Sequence, residues 1–404
     1  MKRIFWVNHR GDRQLWLKVA GVTIALLLLM LLASCRIPQV KAEDRIFLNL
    51  SLDFLGDYQL PKLEFEGTTV GGLSGIVYDR QRDRFYAVSD DRSTIAPAHF
   101  YTLKLIVDAD RPNGETEEAI EIQAVEVEKV TTLTGEDGNP YATGTIDFEG
   151  IALSPRQTVF IASEGVTEEG IPPFIDEFDL ETGQWRRRLP IPVRYVPNEI
   201  DGQPIGVQDN RGFESLTIDA EGSAPNSLEP FRLFSATESA LRQDLPDPAA
   251  PDNPTQTPVR FLHYLVGESL PTLLAEHVYF VEPLPAGAED IGLTDLVTLE
   301  QGGHLLGLER SFGRSVGVNA KIFQLATGGA TDVSGFPSLK GLTNLTSIYK
   351  ELLLDLGELD IPLDNLEGMT LGPRLPDGSQ SLLLVSDDNF NDLQVNQFLL
   401  FRLR

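Results

Sequence analysis

Acidic side chains at two fixed positions of a repeated strand–turn–strand pattern are the residues of this sequence that could do chemistry together. In residues 147–165, DFEGIALSPRQTVFIASEG, Glu149 stands near the start of one apolar strand and Glu164 follows the end of the next. The turn between the strands lies at residues 154–157. In an antiparallel hairpin with that turn, the two glutamates lie opposite each other, so both carboxylates belong to the same rim.

The same pattern occurs five times, at intervals of roughly 65 to 80 residues, and so forms an internal repeat. The start position of the five hairpins is occupied by Ser74, Glu149, Glu214, Thr294 and Glu367. The end position is occupied by Asp90, Glu164, Glu238, Glu309 and Asp387, all of them acidic. Hairpin register is therefore expected to gather eight carboxylates and two hydroxyls at equivalent ends of five units.

Each hairpin is followed by further segments with strand character, so a full repeat consists of four strands. After the first hairpin, for example, HFYTLKLIVD (residues 99–108) and EIQAVEVEKVTTL (residues 121–133) are separated by a polar turn. Four-stranded units repeated around an axis are the blades of a β-propeller. The sequence therefore predicts an all-β propeller with five four-stranded blades. A sixth blade would require another sheet within residues 328–360.

The fifth repeat predicts how the ring closes. A single strand, QFLLFRLR (residues 397–404), follows its hairpin, which leaves this blade one strand short. An incomplete blade would expose a sheet edge. The strand near residues 45–61 precedes the first hairpin and belongs to no other blade. We expect this N-terminal strand to pair with the C-terminal blade and complete it.

Composition favours a large domain with affinity for cations. The chain has 404 residues, of which 42% are hydrophobic, and its formal net charge is −27. Such a charge argues against nucleic-acid binding, because a polyanion would be repelled. The sequence also lacks a G-x-S-x-G nucleophile elbow, a phosphate-binding P-loop and an H-E-x-x-H motif. The chemistry is therefore expected to depend on the repeated acids.

The N-terminus is predicted to target and anchor the protein. Basic residues precede an apolar run, residues 19–32, which is short for a transmembrane helix and ends in a Leu-Ala-Ser-Cys sequence that resembles a bacterial lipobox. We expect a lipoprotein signal peptide (residues 1–34), lipidation of Cys35, a tether (residues 35–44) and a single propeller domain (residues 45–404). The alternative, an uncleaved signal anchor, also places the domain outside the cytoplasm and tethered to a membrane of the bacterial cell envelope.

The gathered carboxylates predict a cation site. Like charges within a few ångströms raise one another's pKa, so either protons or cations must neutralise them. Carboxylate oxygens favour Ca²⁺ over zinc or copper, and none of the five histidines occupies either repeated position. The predicted ligands are Asp90, Glu149, Glu164, Glu214, Glu238, Glu309, Glu367 and Asp387. Alternatively, these acids face water or cap backbone N–H groups between blades.

Basic residues beside these acids predict where a phosphate ester would bind, because a phosphate needs positive partners. Arg92 lies two residues after the first end position, Arg310 follows the fourth, and Arg211 opens the third repeat. Salt bridges with the rim carboxylates are the competing explanation for all three arginines. Both explanations stay open at the level of sequence.

Four of the hairpins also resemble those of a known family. GLSGIVYD…FYAVSDDR, DFEGIAL…FIASEG, RGFESLTI…LFSATES and NLEGMTL…LLLVSDDNF are similar to phytase-like domains, a family named for the esterase-like activity of phytase. The resemblance extends over about residues 67–404 and implies a propeller with calcium-dependent phosphoester-hydrolysing activity. The fourth repeat departs from the pattern, because Thr294 and Asp295 replace Glu-Gly, so one ligand is expected to be missing there.

Together these features predict a lipid-anchored, extracytoplasmic propeller that hydrolyses a small phosphoester with the help of Ca²⁺. Metal ions would neutralise the phosphate and activate a water molecule, with Glu149 or Glu214 as the base. The protein is expected to be a monomer that contacts the membrane through its anchor. The competing hypothesis is a non-catalytic propeller that calcium stabilises and whose rims bind a protein or a glycan.

Overall fold

The computed structural model describes residues 46–110, 119–219, 228–246 and 256–404. The predicted signal peptide (residues 1–34), the tether (residues 35–44) and Cys35 lie outside these described residues, so their roles stay predictions. Regular structure in the described part is almost entirely β-strand, with short 3-10 helices at Thr167–Glu169, Val193–Tyr195, Arg242–Asp244 and Leu356–Glu358. No helix among the described residues combines the length and the apolarity that crossing a membrane requires.

The strands follow the predicted repeats. The chain begins with β1 (Leu52–Leu60), β2 (Glu64–Phe65) and β3 (Thr68–Thr69). The first blade contains β4 (Leu73–Asp79), β5 (Arg84–Ser89), β6 (His99–Asp110) and β7 (Ala119–Thr132). The second contains β8 (Phe148–Leu153), β9 (Thr158–Ser163), β10 (Phe174–Asp179) and β11 (Trp185–Arg188).

The remaining three blades follow in chain order. A small hairpin, β12 (Asn198–Ile200) and β13 (Gln203–Ile205), precedes the third blade, with β14 (Phe213–Asp219), β15 (Phe231–Thr237), β16 (Thr257–Val266) and β17 (Thr272–Val281). The fourth blade contains β18 (Asp290–Thr298), β19 (His304–Gly313), β20 (Gly317–Ala326) and β21 (Tyr349–Asp355). The fifth contains β22 (Asn365–Arg374), β23 (Gln380–Asp387) and β24 (Asn396–Leu403).

These strands form five four-stranded antiparallel sheets, which confirms the predicted five-bladed propeller. The first strand of each repeat is innermost: β4, β8, β14, β18 and β22 contact one another in that order, and β22 contacts β4 to close the ring. Residues 328–360 contain a single regular strand, β21, which is the outer strand of the fourth blade. The alternative of a sixth blade is therefore excluded.

The ring closes between its two ends, as the sequence predicts. β1 pairs antiparallel with β24, from Leu52 opposite Leu403 to Leu60 opposite Asn396. β1 is thus the outermost strand of the fifth blade, whose other three strands come from the last repeat. This pairing covers an edge of β24 that would otherwise offer unpaired backbone groups to other chains.

The hydrophobic core lies between the faces of neighbouring blades. Phe148 of β8 is fully buried among side chains of the first and second blades, and its ring meets Phe174 and Phe178 edge to face. β9 is buried at every position, because both faces of its blade are covered. Removal of these large rings from water supplies much of the free energy that holds the blades together.

Candidate cation and phosphoester site

A β-bulge presents each start-position residue to the central channel. In all five blades the pairing of the two hairpin strands skips this residue, so the register shifts at Ser74, Glu149, Glu214, Thr294 and Glu367. A bulge adds one residue to a strand and re-aims its side chain. The three glutamates consequently reach the same channel mouth, where all three are buried.

A small residue after the bulge lets the inner strands approach closely. A Cβ atom on Gly75 would lie 2.4 Å from the carbonyl oxygen of Glu149, and one on Gly150 would lie 2.4 Å from that of Glu214. Glycine avoids these clashes, so each of these strands packs directly against the bulge of the next blade. The start positions of adjacent blades are brought together in this way.

The end positions of four blades follow one pattern. In each, a serine or threonine pairs with the residue before the bulge, and the acid comes next in sequence. These acids are Asp90, Glu164, Glu238 and Asp387. The backbone N–H of Asp90 donates to the carbonyl of Gly72 at 3.0 Å, and Glu238 repeats this bond with Gly212 at 2.9 Å. Four of the predicted end-position acids therefore stand beside the start positions.

The fourth blade differs, and the predicted position of Glu309 at the rim is wrong. Glu309 pairs with Leu293, the residue before the bulge, so Arg310 occupies the end position instead. The Glu309 carboxylate accepts hydrogen bonds from the Tyr279 hydroxyl at 2.6 Å and from Lys350 Nζ at 2.8 Å, outside the channel mouth. One signal in the sequence could have shown this: a serine or threonine precedes the acid in the other blades, and Glu309 itself takes that place.

The rim encloses a cavity of about 360 Å³ at the channel mouth. Its wall contains nine acidic side chains and three arginines, so negative charge exceeds the positive charge available. Three of the acids were not among the predicted ligands: Asp91, Asp147 and Asp290. Asp147 precedes Phe148 in the DFEG stretch, and the polar residue at the same place in the fifth repeat, Asn365, was the available signal.

Burial makes the carboxyl groups of this cluster hard to ionise. Desolvation raises the pKa of Glu149 and of Glu214 well above the usual range, and neighbouring carboxylates add to the rise. Desolvation likewise raises the pKa of Asp147 to about 6, of Asp387 to about 7 and of Glu367 to about 8. The cluster therefore holds protons near neutral pH unless a cation replaces them.

Two groups of three carboxylates are close enough to share a cation. One consists of Asp147, Glu149 and Glu164, and the other of Glu164, Glu214 and Glu238. Within each group, one oxygen from every residue lies within 4.8 Å of the others. All these donors are hard oxygens, which suit Ca²⁺ better than metals that seek nitrogen or sulfur.

Unsatisfied oxygen atoms near these groups add to the fit. Ser74 Oγ and Asp90 Oδ1 are buried, and neither has a hydrogen-bond partner within the described part of the chain. Ser74 is 4% exposed and occupies the start position of the first blade. A buried polar atom without a partner destabilises a fold, and a bound cation or a bridging water would satisfy it.

Each of the predicted phosphate-binding arginines is paired with a rim carboxylate. Arg92 Nε donates to Asp147 Oδ1 at 2.8 Å, and Arg211 Nη1 lies 3.2 Å from Glu238 Oε2. Arg310 Nη2 lies 3.4 Å from Glu238 Oε1. Salt bridges, the competing explanation, are thus present for all three arginines. Arg310 differs because its Nε is buried without a hydrogen-bond partner among the described residues, so it retains a donor for an anion.

A family model described as "Phytase-like: Esterase-like activity of phytase" matches residues 68–390. This chain belongs to that family. The resemblance predicted from the hairpin motifs is thereby confirmed, and the match spans the inner strands of all five blades of the phytase-like propeller. No curated protein matches the chain.

Several solved structures are similar to the phytase-like chain at low identity. A member of the duf4221 family from Bacteroides vulgatus has 10% identity and a TM-score of 0.34, with 88% of this chain and 98% of that chain covered. The catalytic domain of the Coprinopsis cinerea GH62 α-L-arabinofuranosidase has 10% identity and a TM-score of 0.38, with 85% and 95% covered. A fructofuranosidase from Schwanniomyces occidentalis has 9% identity and a TM-score of 0.40, with 84% and 58% covered. These likenesses carry no conclusion about function.

Proposed function

We propose that the phytase-like propeller is a Ca²⁺-dependent phosphoester hydrolase, anchored by a lipid on Cys35 and facing the extracytoplasmic side of the cell envelope. The observation that carries the proposed activity is the coexistence of two features at one channel mouth. Carboxylate groups suited to a cation stand beside Arg310, whose buried Nε–H lacks a partner among the described residues. A phosphate ester needs both kinds of partner, whereas a purely structural cation site would need the carboxylates alone.

Ca²⁺ would be held by the two carboxylate groups that share Glu164. Calcium takes six to eight oxygen ligands, so the Ser74 hydroxyl, water and phosphate oxygens could complete its coordination. When bound, the metal neutralises charge on the phosphate and lowers the pKa of a coordinated water. Membership of a family described by the esterase-like activity of phytase supports this hydrolytic chemistry.

Glu149 and Glu214 are the candidate bases. Each lines the cavity at a bulge, and burial raises the pKa of each. A deprotonated carboxylate with a raised pKa is a stronger base than an ordinary one, so whichever of the two does not coordinate the ion would take the proton of the attacking water. The water oxygen would bond to phosphorus, the ester P–O bond would break, and the departing oxygen would take up a proton. Arg310 would stabilise the negative charge on the phosphate oxygens.

Hydrolysis of 4-nitrophenyl phosphate by the full-length chain in detergent tests the proposed activity. We expect turnover with Ca²⁺, none with EDTA, and recovery when Ca²⁺ is restored. Arg310→Gln should lower kcat by about 10²- to 10³-fold, as the loss of one preorganised donor does in other enzymes. Glu309→Gln is the matched control, because Glu309 is also buried but lies outside the cavity, and it should retain turnover.

The same preparation decides between the two functional hypotheses. If Ca²⁺ raises the thermal midpoint but no ester is turned over, the enzyme hypothesis fails. The non-catalytic alternative, a calcium-stabilised propeller that binds a protein or a glycan, would then be favoured. Equal loss of turnover in Arg310→Gln and Glu309→Gln would also contradict the role proposed for Arg310.

The anchor is tested separately from the activity. Cys35 is the one cysteine of the chain, so Cys35→Ala should abolish incorporation of labelled palmitate in cells. Unchanged labelling would contradict the lipid anchor. Absence of labelling in the unmodified protein would favour the uncleaved signal anchor.

A further inference from the structure

Phe390 stands out at the channel mouth because of its chemistry. Of the residues that the structure describes around this cavity, it is the single apolar one, and all the others are acidic, basic or neutral polar. Phe390 is half-buried, so part of its ring is available for contact. It lies in the loop between β23 and β24, three residues after Asp387, the end-position acid of the fifth blade.

The loop holds Phe390 in an unusual backbone conformation. Asn389 and Phe390 both have left-handed φ angles, 46° and 49°, which are rare for a bulky residue. Asp387 Oδ1 accepts the N–H of Asn389 at 2.7 Å, and Asp388 Oδ1 accepts that of Phe390 at 3.2 Å. Lys62 forms a salt bridge with Asp388 and so connects this loop to the segment that follows β1. The ring is therefore held at the mouth by a defined set of bonds.

Two glycines allow the ring to approach the acidic cluster. A Cβ atom on Gly71 would lie 3.0 Å from the Phe390 ring, and one on Gly72 would lie 2.6 Å from it. The same Cβ on Gly72 would lie 2.1 Å from Asp90 Oδ1. The ring and the Asp90 carboxylate both lie close to the Cα atom of Gly72, so they are neighbours. A group that packs on Phe390 is consequently next to the Asp90 carboxylate of the acidic cluster.

The charged partners for a phosphate lie on other blades of the same mouth. Arg211 precedes β14 of the third blade, and Arg310 lies in β19 of the fourth. Phe390 therefore adds one apolar surface on the fifth blade to a mouth whose other described residues are polar or charged.

We propose that Phe390 is a specificity-determining residue that packs against an aromatic ring in the organic part of the substrate, so that aryl phosphates are preferred over alkyl phosphates. This inference rests on the proposed phosphoester hydrolysis. Aromatic pairs gain free energy beyond the burial of apolar area. The phosphate would lie toward Arg310 and the carboxylates, and the ring would lie toward Phe390. A sugar phosphate has no aromatic ring and so cannot form such a pair.

The ratio of kcat/KM for phenyl phosphate to that for methyl phosphate tests this inference. Measured on the full-length chain with Ca²⁺, Phe390→Ala should lower the ratio by about 2- to 12-fold, and Phe390→Leu by less. Phe336→Ala is the control, because Phe336 is 42% exposed and lies outside the cavity, and it should leave the ratio unchanged. If the role of Phe390 were purely structural, Phe390→Ala would lower kcat/KM for both esters by the same factor. An unchanged ratio in Phe390→Ala therefore overturns the inference.

A binding experiment separates this inference from the proposed activity. Phenylphosphonate and methylphosphonate have a P–C bond that hydrolysis does not break, and calorimetry can measure their affinity for the calcium-loaded protein. Tighter binding of phenylphosphonate that Phe390→Ala abolishes would support the inference even if no ester were turned over. Equal affinity for the two phosphonates, or binding of neither at millimolar concentration, would overturn it. A Phe390→Ala defect confined to glucose 1-phosphate would also overturn it.

Discussion

Glu164 is the residue on which both carboxylate groups depend. It belongs to each of them, and its Oε1 is fixed by the backbone N–H of Gly212 at 2.7 Å. Glu164→Gln keeps the size of the side chain but removes the charge that attracts a cation. We expect the variant to bind Ca²⁺ at least about tenfold more weakly, because calcium affinity follows the charge of the ligand set. Calorimetric titration of the full-length protein at pH 7 measures this effect.

Glu309→Gln is the control for that titration. Glu309 is buried like Glu164, but it bonds to Tyr279 and Lys350 and belongs to neither carboxylate group. We expect its calcium affinity to equal that of the unmodified protein. If Glu164→Gln bound Ca²⁺ with wild-type affinity, Glu164 would not be a ligand. If Glu309→Gln bound Ca²⁺ weakly, Glu309 would be one.

The sequence repeats predicted most of the acidic cluster but placed one residue, Glu309, wrongly. Asp90, Glu149, Glu164, Glu214, Glu238, Glu367 and Asp387 are close together as the repeats indicate. Glu309 failed because a shift of one residue in strand register turns a side chain to the other face. Asp147 and Phe390 were missed for a different reason. With the fourth blade aligned at Arg310, no other repeat has an acid at the place of Asp147 or a phenylalanine at the place of Phe390, and Asn365 is the single polar counterpart of Asp147.

In three blades the inner strand depends on a glycine directly after the start position: Gly75, Gly150 and Gly368. A Cβ on Gly150 would lie 2.4 Å from the carbonyl oxygen of Glu214, so Gly150→Ala forces two blades apart. We expect the variant to lose about 1–3 kcal/mol of unfolding free energy, the range observed for overpacked cores. Urea unfolding monitored by tryptophan fluorescence measures this loss.

Gly302→Ala is the matched control for the inner-strand substitution. No atom lies within 4 Å of the Cβ that it would add. Its unfolding free energy should change by less than about 0.5 kcal/mol, as is usual at unconstrained sites. Equal losses in the two variants would contradict the close approach of the inner strands.

The strand β1 protects the fifth blade. Its pairing with β24 covers an edge that would otherwise be free to pair with another chain. Deletion of Leu52–Leu60 should therefore lower the thermal midpoint and cause self-association, which light scattering detects. Replacement of the exposed hairpin β12–β13 by a glycine-serine linker is the control and should leave the protein monomeric. A monomeric β1 deletion with an unchanged midpoint would contradict this role.

Most elements could be predicted from sequence because strands and turns alternate regularly through the repeats. The closure by β1 followed from counting strands in the last blade. The bulges could not be predicted, since a sequence such as Phe-Glu-Gly reads the same whether or not its glutamate is paired. The register that decides which side chains face the channel is set by packing between blades, as at Gly75 and Gly150.

At the scale of the whole molecule, the ring collects eight carboxyl groups whose pKa values are all raised, and all of them except the half-buried Asp90 are buried. They are Asp90, Asp147, Glu149, Glu164, Glu214, Glu238, Glu367 and Asp387. Desolvation is the main cause in every case. Between the unfolded and folded pKa values, the metal-free folded protein therefore binds more protons than the unfolded chain.

This difference predicts how stability depends on pH without metal. The contribution of these groups is complete below their unfolded pKa of about 4 and is lost as pH rises through the folded values. Those values are about 6 for Asp147 and about 8 for Glu367. In EDTA, the thermal midpoint should fall between about pH 5 and pH 8, and Ca²⁺ should reduce that fall. A midpoint in EDTA that rises over this range would contradict the burial of ionisable carboxyls.

The net charge of −27 indicated affinity for cations but not where they would bind, because it sums exposed and buried acids alike. The position depends on the ring, which places residues from five distant segments around one mouth. Arg310 then breaks the fivefold pattern by supplying a positive charge where the other blades supply an acid. That asymmetry could be recognised only once the register of the fourth blade was known.

The most direct test is to count the protons that the protein releases when it binds Ca²⁺. Calorimetric titrations at pH 7 in two buffers with different ionisation enthalpies give this number. If the buried carboxyls at the channel mouth form the cation site, binding should release protons, and Glu164→Gln should bind more weakly. Absence of binding up to millimolar Ca²⁺, or binding with no proton release and no effect of Glu164→Gln, would contradict it.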